Sequence, residues 1–215
     1  MFISFKGVRL KMKDNVKIAR TEATIKATVI ELIKQKSLAK LSISDITRGA
    51  KINRGTFYLH YVDKNDLIDH YEETLIDHLK IIFDGYKPLM PRPLSEIKVM
   101  ITTALTYIDS ERPLFNALMS DQGDITFTNQ LKRMFLWYVE DSLEHVKTKY
   151  SHPIIPEKYA KELVLDSVVG IVTVWVMDSH PDSIEKVADI LTNSRFMAPV
   201  NLAGVTQSLS KIKDS

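Results

Sequence analysis

The chain has no cysteine among its 215 residues, so neither a disulfide nor a thiolate metal site is available to it, and thiols indicate no redox compartment. It also lacks a long apolar run. The most hydrophobic stretch, Leu163 to Met177, is too short to span a bilayer and contains Asp166, so it reads as a buried helix rather than a membrane segment. No leader is recognisable: MFISFKGVRLKMK is interrupted by Lys6 and Arg9 and has neither an apolar core region nor a small-residue cleavage site. A cytoplasmic protein with no membrane partner is expected. Met12 is a second candidate start, because the repeating pattern of the first helix begins only after it. Catalytic signatures are missing too. There is no glycine-rich phosphate loop, no nucleophile elbow and no metal-ligand spacing, which argues against an enzyme. His145, His152 and His180 have no regular spacing, and Asp69, His70, Glu73 and Asp77 read as a solvated helix face, so no metal and no cofactor is expected.

Charge is balanced overall but not along the chain. Residues 1–64 hold 14 of the 29 Lys/Arg and only 5 of the 27 Asp/Glu, a net of +9 against −7 for the remainder. A basic N-terminal third suits a polyanion, which the acidic remainder would repel. Lys34, Lys36 and Lys40 are equally readable as an ordinary solvated surface.

Within that basic third, residues 42–67 read SISDITRGAKINRGTFYLHYVDKNDL. Ser42 is an N-cap type with Asp45 three positions on, the spacing of a capping box. Ile43, Ile46 and Ala50 then share one helical face. Lys51, Ile52 and Asn53 suffice only for a tight turn, and Asn53 can cap a second short helix, Arg54 to Tyr61. In that helix Phe57 and Tyr61 stand four apart and can face a core, leaving Arg54, Gly55, Thr56, Tyr58, Leu59 and His60 for another surface. Those groups suit a duplex. Arg54 can pair bidentately with guanine, Thr56 can bond a base or phosphate, Leu59 can touch a thymine methyl, and Tyr58 and His60 can reach phosphates. Gly55 allows close approach of the backbone. Lys64, in the first turn of the next helix, is an unfavourable cation for the helix dipole unless an anion such as a phosphate lies nearby. With Ser42 and Ser44 at the start of the preceding helix, these residues form the candidate DNA-binding set.

The stretch resembles the N-terminal domain of the TetR family of bacterial repressors. The resemblance is carried by Ser42, Asp45, Ile46, Ala50, Ile52, Arg54, Gly55, Thr56, Phe57, Tyr58, His60, Tyr61, Lys64 and Leu67. Lys51 departs from it, standing where the family often has glycine at the turn, at a modest backbone cost. The resemblance implies a repressor that binds a pseudo-palindromic operator on double-stranded DNA as a homodimer and is released by an effector in a larger domain. A branch similar to the dihydroxyacetone kinase regulator is suggested by Tyr107, Leu114 and Phe115 through Trp175. That branch brings an alternative, in which the larger domain docks a protein co-regulator rather than a small molecule; a partly polar enclosed cavity would favour the effector.

The rest of the chain reads as helices only, which makes the fold class all-α with about nine helices. They are Ile18 to Lys36, the two of the helix-turn-helix, Asp66 to Tyr86, Leu94 to Ser110, Pro113 to Ser120, Ile125 to Lys149, Glu157 to Met177, and Ser183 to Phe196. Pro88, Pro91 and Pro93 mark a break. The expected organisation is a disordered extension over 1–16, the DNA-binding domain over 17–64, a regulatory and dimerisation domain over 65–199, and a tail over 200–215. Leu163 to Met177 is apolar nearly all round, more than one subunit usually needs, so Gly170, Val174 and Val187 are candidates for a dimer seam, with Trp175 nearby. Tyr107, Phe115, Met119, Met134, Phe135, Tyr138 and Trp175 could surround an apolar or aromatic effector, although such residues at helical spacing also serve as core packing.

Overall fold

The computed structural model describes residues 5–86, 94–147 and 156–194. The proline break at Pro88, Pro91 and Pro93, His152 and the tail from residue 200 lie outside them. The described residues are all-helical, with no strand: α1 (Phe5–Gln35), a 3₁₀ turn (Leu38–Lys40), α2 (Ile43–Gly49), α3 (Arg54–Tyr58), α4 (Lys64–Asp84), α5 (Leu94–Ser110), α6 (Arg112–Met119), α7 (Ile125–Lys147), α8 (Glu157–Met177) and α9 (Ile184–Ser194).

The order and type of these elements follow the expectation, but α1 is longer. It begins at Phe5, within the stretch read as a disordered extension. The apolar stripe used to place the helix start begins only near Ile18, whereas backbone hydrogen bonding needs no stripe. Between Phe5 and Gln35 only Gly7 disfavours a helix, and there is no proline. Helix α3 is shorter than the predicted Arg54 to Tyr61, because its last residues tighten into a turn: the N–H of His60 donates to the carbonyl of Phe57 at 2.9 Å.

By packing, the chain forms two compact units. Of the described residues, one unit comprises those up to 74 with 113–127, the other those within 75–112 and from 128 to 194. The first unit is held by Ile25, Val29 and Ile33 of α1, which repeat every four residues and are fully buried with Ile46, Phe57 and Leu67. Helix α6 belongs to it. Leu114, Phe115, Ala117 and Leu118 are buried there, with the Phe115 and Phe127 rings 5.8 Å apart, and the N–H of Leu38 donates to the carbonyl of Gln122 at 2.7 Å. The expected boundary at residue 64 follows chain order; the packing crosses it twice, once inside α4 and once to take in α6.

In the second unit α5 lies against α9. Ala104, Leu105 and Ile108 are buried on one side and Val187, Ala188 and Leu191 on the other, with a Lys98–Asp189 ion pair at 2.6 Å beside them. Helix α8 buries Leu165, Val169, Val172, Trp175 and Val176. Arg112 secures its last turn: the guanidinium donates to the Trp175 carbonyl at 2.6 Å and lies 4.0 Å from the centre of the indole ring. A cation suits that negative helix end, and the aromatic face adds a cation–π contact.

Gly123 closes the α6–α7 turn, and a Cβ there would lie 2.1 Å from the Leu118 carbonyl oxygen and 2.4 Å from that of Ala117. Neither oxygen belongs to a flexible side chain, so the backbone itself must move. Gly123→Ala is expected to cost about 1–3 kcal/mol, in line with other overpacked sites. Urea denaturation of the two proteins checks this, and equal midpoints would contradict the geometry.

Candidate nucleic-acid interface

Two capped helices build the site. Ser42 Oγ accepts the N–H of Asp45 at 3.3 Å, and Asp45 Oδ2 accepts the N–H of Ser42 at 3.1 Å, a complete capping box on α2. Asp45 is also paired with Lys36 and, at 3.1 Å, with Arg48. Hydrogen bonding from Lys36 first and Ser42 second holds its carboxyl well below the usual carboxylate range. Lys36, which the sequence left on a solvated basic surface, is therefore engaged in positioning α2.

The turn between the helices carries Lys51 at φ 54°, in the left-handed region that a non-glycine residue occupies at some cost. Asn53 then caps α3, its Oδ1 accepting the Thr56 N–H at 2.7 Å and the Thr56 hydroxyl at 3.0 Å. Phe57 is fully buried and Tyr61 nearly so, their rings 5.8 Å apart, as the spacing of four predicts. A second glycine matters here. A Cβ on Gly49 would come within 2.6 Å of the Thr28 methyl, so the glycine lets α2 approach α1 closely.

The candidate DNA-binding residues separate into two groups. Arg54, Gly55, Tyr58 and Leu59 are exposed on one short helix and its last turn, Leu59 at 85%. Ser44 is half-buried beside them, its Oγ accepting a hydrogen bond from the Arg54 guanidinium. The other candidates are occupied within the first unit. Ser42 serves as the α2 cap, and the Thr56 hydroxyl belongs to the Asn53 cap. His60 does not point outward: its side chain is 10% exposed and its Nδ1 lies 3.3 Å from a carboxylate oxygen of Glu22 on α1. Lys64 Nζ donates to the carbonyls of Leu38 at 3.0 Å and Ala39 at 3.4 Å. Backbone carbonyls thus supply the negative partner that the sequence assigned to a phosphate. Arg48, with a side chain 77% exposed, and Lys51, also exposed, are cations that the motif spacing did not single out.

The seven candidate effector contacts are divided between the two units. Phe115 and Met119 are in the first unit, Phe115 fully buried as core. In the second unit Tyr107 stacks on His78 at 4.1 Å, burial pushing its phenol up to about 12; Phe135 packs edge-on against Phe83 at 5.4 Å; and Trp175 lies beneath Arg112. Only Met134 and Tyr138 line the cavity of about 450 Å³ between α4 and α7, together with Ile76, Lys80, Asp84, Gln130, Arg133 and Trp137. Of the seam candidates, Val174 is 71% exposed, and apart from the neighbouring residues and backbone of its own helix nothing lies within 4 Å of where a Cβ on Gly170 would be. Val187 corrects the expectation. It is 3% exposed and spent on the core of its own unit, as is Trp175 at 4%.

Comparison with known proteins matches two successive stretches of the chain. A family model described as bacterial regulatory proteins, tetR family, matches residues 25–71, and one described as a transcriptional regulator C-terminal region matches residues 95–195. The uncharacterized HTH-type transcriptional regulator YxbF of Bacillus subtilis is 26% identical over 100 residues, 46% of this chain and 26% of YxbF. The match thus spans about a quarter of that relative's length. A TetR transcriptional regulator from Streptococcus agalactiae has the same fold at a TM-score of 0.57 and 20% identity, over 86% of this chain and 98% of that one. The dihydroxyacetone kinase operon activator DhaS has a TM-score of 0.52 at 16% identity, over 81% and 93%.

The capping network makes a prediction about acid. Asp45 is held low in the folded state, so its contribution is present above the unfolded carboxylate range and is lost only when pH falls through the lowered value. Removing its first-named partner with Lys36→Met should raise the Asp45 carboxyl towards its ordinary range, and loss of stability on acidification should then begin at higher pH. Carboxyl carbon NMR titration of the two proteins measures this; superimposable Asp45 titrations would refute it.

Proposed function

Because the chain belongs to the TetR family of transcriptional regulators, we propose that it acts in the cytoplasm as a homodimeric repressor, binding a pseudo-palindromic operator through α2 and α3 and leaving DNA when an effector binds the larger unit. The observation that carries the reading is the group of side chains left exposed by folding. Arg54, Tyr58 and Leu59 are exposed on a short capped helix of a basic unit, next to Ser44. Arginine suits bidentate pairing with guanine, and Leu59 suits a thymine methyl. Gly55 and the α3 backbone allow close approach, and Lys51 and Arg48 add positive charge for phosphates. Ser42, Thr56, His60 and Lys64 belong to the interface as its supports. They hold the caps, the α1 contact and the 3₁₀ turn that aim the reading helix.

Assembly is assigned to α8. Leu163, Gly170 and Val174 lie seven and four residues apart on one face, and Leu163 and Val174 are 62% and 71% exposed. A face of this kind, apolar apart from Asp166 and Ser167, suits burial by a second copy, and a twofold pair of reading helices matches a two-part operator. Enzymatic activity forms no part of this reading. For the larger unit we favour a small-molecule effector over a docked protein co-regulator, seated in the open hollow between α4 and α7, and α4 also begins in the DNA-binding unit, which offers a route from effector to operator. DhaS bears the name of an activator, so transcription from the operator with and without the protein is the measurement that assigns the sign.

Selection of bound sequences from random DNA tests the reading as a whole. A two-part consensus is expected, with affinity falling on the order of 10³-fold or more between low and moderate salt if roughly six phosphate contacts form per dimer. Arg54→Ala should relax the preference at one base pair of each half-site, at about 1–3 kcal/mol per contact, whereas Lys64→Ala should weaken all sequences alike. Identical selected sites for wild type and Arg54→Ala would remove Arg54 from base reading.

The seam has its own test. Gly170→Leu should overpack a symmetric interface at about 1–3 kcal/mol for each subunit, so the dimer should dissociate and operator binding should drop more than half-site binding. Sedimentation of the variant decides it. An unchanged dimer would place the interface elsewhere.

A further inference from the structure

The cavity between α4 and α7 has an uneven charge. Its apolar part is formed by Ile76 and Met134, both under 10% exposed, and by the half-exposed indole of Trp137. Its charged groups are Lys80, Arg133 and Asp84, two cations against one carboxylate. The carboxylate is already engaged: Asp84 Oδ1 accepts the Tyr138 hydroxyl at 2.7 Å, and burial followed by that bond pushes the phenol upward, keeping it a protonated donor. Lys80 shares its charge with Asp77 at 2.8 Å. Arg133 makes no ion pair or hydrogen bond among the described residues. Its guanidinium is thus a fork of donors at the edge of an apolar hollow.

We propose that this cavity binds a small organic anion with a flat apolar body, the anionic group on Arg133 and Lys80 and the body between Trp137 and the Ile76–Met134 floor. Guanidinium matches the two oxygens of a carboxylate or sulfonate, and such charge-assisted pairs are stronger than neutral ones. A cationic ligand would face two like charges and would have to displace Tyr138 from Asp84. A neutral ligand gains the apolar contacts but leaves the guanidinium without a counter-charge. The volume of about 450 Å³ lies in the range of small-molecule sites and accommodates one or two rings. The regulatory consequence rests on the effector reading above; the binding itself does not.

The test uses three probes that share one ring system, with the full-length protein and calorimetric titration: 2-naphthoate, the neutral 2-naphthalenemethanol and the cationic 2-naphthylmethylamine. The naphthoate should bind once per chain, with the alcohol and the amine weaker by about tenfold or more. Arg133→Gln, at an exposed position, should weaken the naphthoate by a similar factor and leave the alcohol unchanged, while Trp137→Ala should weaken both. Circular dichroism and melting of each variant confirm that the fold is kept. Equal affinities for the three probes, preference for the amine, binding of none, or a naphthoate affinity untouched by Arg133→Gln would each overturn the proposal. Operator binding is measured alongside. Naphthoate bound at the cavity with the operator still held would retain the anion site and remove the effector reading, whereas release of DNA that persists in Arg133→Gln would place the anion site elsewhere and overturn the proposal.

Discussion

A helix of five residues does not persist in water, because its nucleation cost exceeds what so few backbone hydrogen bonds return. Helix α3 exists because Phe57 is buried without remainder and Asn53 satisfies one of its free N–H groups, that of Thr56. The rest of the first unit can be understood as the means of anchoring that ring. The four-residue repeat of Ile25, Val29 and Ile33 provides a wall, Gly49 lets α2 approach it, and the Ser42–Asp45 box fixes where α2 starts. What remains outside is small and specific: Arg54, Gly55, Tyr58 and Leu59.

The same anchoring uses polar groups that a motif would assign to a ligand. Lys64 supports the 3₁₀ turn through two carbonyls, His60 meets Glu22, and Lys36 joins Asp45. Lys36 and Lys64 lie at the edge of the unit, where a charged group gains from a fixed partner while keeping contact with water. An interface built in this way is preorganised, since few side chains must be ordered when a partner arrives. Basic charge along a sequence therefore overstates the number of cations that remain available for a polyanion.

The second unit follows a different logic. Its helices are long, and Arg112 ties the α5–α6 corner to the end of α8 through a carbonyl and an indole face. With Trp175 spent on the core, the outward face of α8 keeps Tyr159, Leu163, Gly170 and Val174 beside the polar Asp166 and Ser167. Between α4 and α7 the packing is incomplete, and the hollow left there is partly polar, which a core of apolar side chains would not need to be.

The helices were legible from local rules. The 3.6-residue period placed the later part of α1 and α4, two capping residues placed α2 and α3, and the spacing from Ser42 to Leu67 carried the family resemblance, because each of these depends on residues within a few turns of one another. The aims of the side chains were not legible in the same way. Glu22 stands 38 residues from His60, Leu38 stands 26 from Lys64, and the Asp84 that receives Tyr138 stands 54 away, so no local pattern encodes those pairs. Nor could a period distinguish Val174, which faces outward, from Val187, which faces the core of its own unit: both are apolar at helical spacing, and only the packing of one helix on another decides which of them is covered. The sequence by itself determined the helices, their caps and the motif. The tertiary structure decided which charged groups are spent on holding the fold and which remain at its surface, because that choice is made by contacts between distant parts of the chain.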